Sequence, residues 1–148
     1  MTPPPCRELL ADRSRAGVYR LAPEGARKLR AAARDLGFAT RTASMRGVRG
    51  KADFLAALAS ALAFPDWFGF NWDALEDCLG DLSWMQAAGY VTVLEHCEEF
   101  RARAHADFDR AIAVFEAAAG FWRGRGTAFW VFIDVHDGGI APAPRCAR

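Results

Sequence analysis

The chain has 148 residues, of which 52% are hydrophobic and 12% aromatic, and a formal net charge of +1. That length and composition suit a single domain, read over residues 1–148, with a sizeable core, and exclude an intrinsically disordered chain. No apolar run approaches the roughly 20 residues that span a bilayer, and the start, Met1-Thr2-Pro3-Pro4-Pro5, lacks the basic-then-apolar pattern of a signal peptide.

In chain order, residues 1–16 are Pro-rich and charged and are expected to be loose. Gly17 to Leu21 alternates apolar and polar residues and predicts a short strand. Pro23 suits a first helical turn, and Ala26, Leu29, Ala33 and Leu36 continue with helical spacing to Gly37. Phe38 to Met45 predicts a strand, Arg46 to Gly50 a turn, and Ala52 to Ala63 an amphipathic helix with Phe54, Leu55, Leu58 and Leu62 inward. After Phe64 to Leu82, taken up below, a connection runs from Ser83 to Gly89. Tyr90 to Leu94 is a near-continuous apolar run, as in a buried parallel strand. Glu98 to Arg103 predicts a short helix and His105 to Ala119 a longer one, with Phe108, Ala111, Ile112 and Phe115 inward. Gly120 to Gly126 reads as a turn, Thr127 to Val135 as the last buried strand, and residues 136–148 as a flexible tail. Strands alternating with helices predict an α/β fold with a mainly parallel sheet.

The net charge hides a split. Residues 1–51 carry twelve Lys/Arg against four Asp/Glu, whereas residues 52–148 carry seven against fourteen. The basic part has no aromatic interleaving and no nucleic-acid motif, so arginines on outer helix faces account for it and no direct nucleic-acid partner is expected. The acidic part suits a basic partner.

Its most concentrated stretch is Phe64 to Leu82, with Asp66, Asp73, Glu76, Asp77 and Asp81 and no Lys, Arg or His. Pro65 and Gly69 break the chain, and Asn71 is a good N-cap for a helix over Trp72 to Leu82. Trp72, Leu75, Leu79 and Leu82, with Cys78 beside them, form one apolar stripe. Asp73, Asp77 and Asp81 are expected on the other side, flanked by Glu76. Asp73 and Asp77 are four residues apart, and their repulsion costs a few tenths of a kcal/mol in an isolated helix. A cationic partner would offset that cost; the plainer reading is a solvated charged face. The four cysteines (Cys6, Cys78, Cys97 and Cys146) form no C-x-x-C pair, and His96, His105 and His136 show no zinc spacing. Free thiols, a cytoplasmic location, no metal and no cofactor are therefore expected, with Cys78 a buried core thiol.

The run Phe68-Gly69-Phe70-Asn71-Trp72-Asp73-Ala74-Leu75-Glu76-Asp77-Cys78-Leu79 resembles the barstar family, intracellular inhibitors of barnase-type ribonucleases. The likeness extends upstream through Asp53 to Leu58 and, more loosely, downstream through Val91 to Glu95 and Ala111 to Phe115, over roughly residues 38–135. It leaves residues 1–37 as an N-terminal extension. The resemblance implies three parallel strands packed with helices, to which Gly17 to Leu36 adds an edge strand and a helix. It implies a basic ribonuclease as protein partner, and the roles of antitoxin or immunity protein. It also implies partner-binding residues at Trp67, Gly69, Asn71, Asp73, Glu76 and Asp77, with Asp77 reaching deepest into the enzyme. Three departures stand out: Glu76 occupies the place of a family tryptophan, the family glutamate on the long helix falls near Ala117, with Glu116 one position away, and the connection from Ser83 to Gly89 is longer than the family's and is a further stretch that could touch a partner.

Two rivals stay open. One is a non-inhibitory interaction module on the same fold. The other is an enzyme, using the adjoining Glu76 and Asp77 or a Cys78–His96 pair, which no motif supports.

Overall fold

The computed structural model describes residues 2–147. Met1 and Arg148, the outermost residues of the two segments expected to be loose, lie outside that range. The element order is α1 (Cys6–Ala11), β1 (Val18–Arg20), α2 (Pro23–Asp35), β2 (Ala39–Ser44), α3 (Lys51–Ala61), α4 (Trp72–Leu79), β3 (Gly89–Glu95), α5 (Glu98–Arg103), α6 (His105–Gly124) and β4 (Ala128–Ile133). A short 3-10 turn at Ser83–Met85 links α4 to β3.

The strands form one four-stranded sheet in the order β1-β4-β3-β2, and every pairing is parallel. β3 and β4 lie in the middle and are buried along nearly their whole length because both of their faces are covered, which is why all but Thr92 and Glu95 of their residues are apolar or glycine. Successive side chains take opposite faces. Tyr90, Leu94, Phe129, Val131 and Ile133 join the core under α3, α4, α5 and α6. Val91, Val93, Ala128, Trp130 and Phe132 join a second core under α1 and α2. The sheet therefore separates the acidic helix from the basic N-terminal segment.

β1 is the added edge strand, paired with β4 through Val18, Tyr19 and Arg20. Four expectations are corrected. Residues 1–16 are not loose: α1 buries Cys6, Leu9 and Leu10, and the Trp130 indole N–H donates to the Leu10 carbonyl at 3.0 Å. The tail is packed as well. It bridges β1 at Arg20 and Pro142 and the start of the chain at Pro5 and Ala147, and it buries Ile140 and Cys146.

Nor are all four thiols free, because Cys6 and Cys146 form a disulfide across a sequence separation of 140. Spacing could not reveal that pair; α1 and the tail meet only because both cover the same face of the sheet. Cys78 and Cys97 are free and buried. Finally, α6 runs through Gly120 to Gly124 where a turn was expected. Packing explains the extra turn: the Trp122 ring lies 5.4 Å from that of Tyr90, and its N–H donates to the Leu79 carbonyl at 2.7 Å.

Candidate functional site

The acidic segment begins as a loop stiffened by aromatic rings. The Phe68 N–H closes a turn on the Pro65 carbonyl at 3.0 Å, and the Trp84 indole N–H donates to the Leu62 carbonyl at 3.0 Å. Ring contacts then run without a break from Trp67 to Trp84, Phe64, Phe68 and Phe70, with centroids 4.8 to 6.4 Å apart. Phe68 is buried, whereas Trp67 and Phe70 are each 56% exposed.

Asn71 caps α4 as expected. Its Oδ1 accepts from the Ala74 N–H at 2.8 Å, and its Nδ2 donates to the Gly69 carbonyl at 3.2 Å. A Cβ on Gly69 would sit 3.1 Å from that Nδ2, so a larger residue there would crowd the cap. Leu75, Cys78 and Leu79 face the core. Trp72 is half-buried against Phe54, with centroids 6.0 Å apart.

The helix ends at Leu79, three residues before the expected end at Leu82. Leu82 takes a left-handed conformation, φ 53°, and is buried. The chain turns in to bury Leu82 instead of continuing the spiral, so Asp81 leaves the arc of Asp73 and Asp77. Its carboxylate accepts from the Ser83 hydroxyl at 3.3 Å.

Asp66, Trp67, Gly69, Asn71, Asp73, Glu76, Asp77 and Asp81 are all exposed. Among the described residues none of these carboxylates makes an ion pair; the pairs present are Arg30–Glu95, Arg49–Asp53 and His105–Asp109. Cys78 registers the resulting field. Burial first, and then the charges of Asp77 and Asp81, push its thiol up to about 11.

On its other flank α4 faces α6 across a groove of about 380 Å³ lined by Glu76, Asp77, Gly80, Val114, Ala117, Ala118 and Phe121. Ala117, where the family glutamate was placed, does face this groove, and Glu116 is exposed elsewhere on the helix. The α6 wall is thus apolar. Phe121, 45% exposed, closes it, with the Arg125 guanidinium 5.3 Å from its ring centre.

All six partner-binding candidates are therefore exposed along one contiguous loop and helix. Sequence reasoning missed Phe70 and Phe121. An aromatic residue outside any apolar stripe, beside a glycine and an N-cap, was the available signal for Phe70; Phe121 was hidden by the expected turn. Cys78 and His96 are not brought together, since Cys78 lies in the core while His96 is exposed beside Arg46, whose Nη2 is 3.1 Å from its ring. Among the described residues, no group of three or more His, Cys, Asp or Glu could hold a metal. No helix among the described residues is long and apolar enough to cross a membrane.

Residues 38–134 match the family described as "Barstar (barnase inhibitor)", a span of more than half the chain that holds the entire acidic segment. No curated protein sequence matches the chain. Among solved structures it is similar to one titled "Structure of the Aeropyrum Pernix ORC2 protein (ADPNP-ADP complexes)", with a TM-score of 0.54 and 15% identity. The likeness covers 93% of this chain and 43% of that one, and it is a likeness of fold alone.

Proposed function

We propose, from the premise that this chain belongs to the barstar family, that it is a non-catalytic inhibitor of a basic ribonuclease, acting as an antitoxin or immunity protein. The observation that carries the reading is the surface of α4: among the described residues, Asp73, Glu76 and Asp77 are exposed and make no ion pair, exposed Trp67 and Phe70 lead into the helix, and exposed Phe121 lines the groove beside Glu76 and Asp77. An enzyme that cleaves RNA holds a phosphodiester with Arg, Lys and His. A ridge of carboxylates fits the same cations, through short charge-assisted hydrogen bonds, and blocks the substrate. The negative field also speeds encounter; the family's own pair, barnase and barstar, is the reference case for such steering.

An inhibitor of this kind acts in the cytoplasm, where an active ribonuclease would damage its host. Thiols are kept reduced there, and the disulfide on the far face of the sheet would open without disturbing the ridge. The test is titration of the chain into barnase and into any basic ribonuclease encoded beside it, with RNA cleavage as readout. Stoichiometric loss of cleavage with one of them is expected, and unchanged cleavage with all of them overturns the reading. The apolar α6 wall at Ala117 and the carboxylate at Glu76 favour a second reading, in which the surface binds a different basic protein. Tight binding to such a protein without inhibition of any ribonuclease would establish it.

A further inference from the structure

Among the described residues, four non-glycine residues have positive φ: Ala63, Phe70, Leu82 and His96. Three of them lie in the acidic segment or at its entry. Ala63 follows the end of α3, where the Phe64 N–H reaches back to the Ala59 carbonyl at 2.9 Å in a helix-ending motif. Leu82 is compensated by burial in the core. Phe70, at φ 52°, has neither reason. It ends no helix and its ring is 56% exposed, although a bulky residue is among the poorest choices for this conformation. A glycine or asparagine would satisfy the backbone better.

Strain held by a residue whose ring stays mostly in water points to function. The ring is also pre-set: one side packs on buried Phe68, with centroids 4.8 Å apart, and the next residue is pinned by its two hydrogen bonds, to Gly69 and Ala74. A ring held this way loses little freedom when a partner covers it.

We propose that Phe70 is an apolar anchor that determines which ribonuclease is recognised, inserting into an apolar socket beside the enzyme's cationic cleft while Asp73 and Asp77 engage the cleft itself. This rests on the inhibitor reading above and adds to it a partner whose cleft is flanked by an uncharged pocket. Cations answering the carboxylates give fast encounter; a socket answering Phe70 gives slow dissociation and selectivity.

The test compares Phe70→Gly, Phe70→Asn, Phe70→Tyr and Asp77→Ala with the unmodified chain, against barnase and any ribonuclease encoded beside it. Thermal unfolding and inhibition are measured at low and high salt. Phe70→Gly and Phe70→Asn are expected to unfold no earlier than the unmodified chain yet to inhibit about 10- to 100-fold less well. Phe70→Tyr, which keeps the ring, is expected to retain inhibition. The loss at Phe70 should persist at high salt, while the loss in Asp77→Ala should shrink as charges are screened. If Asp77→Ala weakens inhibition and the Phe70 variants do not, the inhibitor reading stands and the anchor falls. Loss of folding and inhibition together in both Phe70→Gly and Phe70→Asn makes Phe70 structural and also overturns it. If the unmodified chain inhibits none of the enzymes, both ideas fall.

Discussion

Opening the Cys6–Cys146 bond should lower stability substantially while leaving inhibition intact. The two cysteines are separated by 140 positions, so the bond closes nearly the whole chain into a ring. In the chain-entropy account, a loop of that size restricts the unfolded ensemble by about 5 kcal/mol. Against the roughly 5–15 kcal/mol typical of a folded domain, that is a third of the total or more. The native side of the balance changes little. The Leu10 carbonyl keeps its bond from Trp130, Pro5 still pairs with Ala147, and the Lys28 ammonium still donates to the Cys146 carbonyl, now at 2.8 Å. The assay is urea unfolding followed by circular dichroism, with and without reductant, and on the double variant Cys6→Ala/Cys146→Ala. With a slope of about 1–3 kcal/mol per molar urea, the midpoint should fall by about 2 M or more. Ribonuclease inhibition by the reduced protein, below its new midpoint, should be unchanged, because both cysteines lie in the core on the face of the sheet opposite α4. A midpoint shift under about 0.5 M in both forms would refute the entropic reasoning. Loss of inhibition without unfolding would refute the independence of the two faces.

Other expectations concern the acidic helix and the buried thiols. Replacing Asp77 by Asn removes its i,i+4 repulsion with Asp73 while leaving Asp73 in the first turn of α4, where the helix dipole favours it, so the protein should gain a few tenths of a kcal/mol in urea unfolding while inhibition drops steeply; equal or stronger inhibition would show that the ridge is only solvated surface. Trp122→Phe removes the N–H that holds the Leu79 carbonyl at the end of α4. It should cost about 1 kcal/mol of stability and loosen the ridge, seen as faster amide exchange in α4 but not in α2; equal protection in both would refute the anchoring. The thiols give a pH dependence. Burial, reinforced by Asp77 and Asp81, raises Cys78 from 9.0 to about 11, and burial, reinforced by Asp134 and Glu98, raises Cys97 from 9.0 to about 12. Their stabilising effect is fully present below the unfolded value near 9; above it the unfolded chain releases protons that the folded chain keeps, so stability falls as pH rises toward 11. A flatter alkaline profile is expected for Cys78→Ala/Cys97→Ala, and neither native thiol should react with iodoacetamide at pH 8; prompt labelling would show that they are not shielded.

Much of the architecture was legible because it is written in short-range contrast. Continuous apolar runs at Tyr90 to Leu94 and Thr127 to Val135 report strands covered on both faces, and both lie at the centre of the sheet. The 3.6-residue spacing of Ala26, Leu29 and Ala33 reports one buried side of α2. Asn71 before Trp72 announced a helix start, which its bond to Ala74 fulfils. The acidic motif likewise carried the family assignment, and the six candidate residues it named are all exposed, because its apolar residues at helical spacing take the buried side of α4.

What failed was whatever depends on a distant segment. Pro-rich residues at one end and a glycine- and proline-containing tail at the other look loose in isolation; together they cover one face of the sheet and are tied by a disulfide. Gly120 reads as a helix breaker until Trp122 finds Tyr90 and Leu79. Asp81 belonged to the helical arc until Leu82 found the core. The groove at Ala117 exists only where α4 and α6 face each other, and the strain at Phe70 is a backbone angle that residue type argues against. Local pattern determined which stretches were strands and helices and where the charge lies, since neighbours along the chain set both. Tertiary packing decided where elements stop, which ends meet and which rings stay in water, since those outcomes sum contacts between residues that no window of sequence contains.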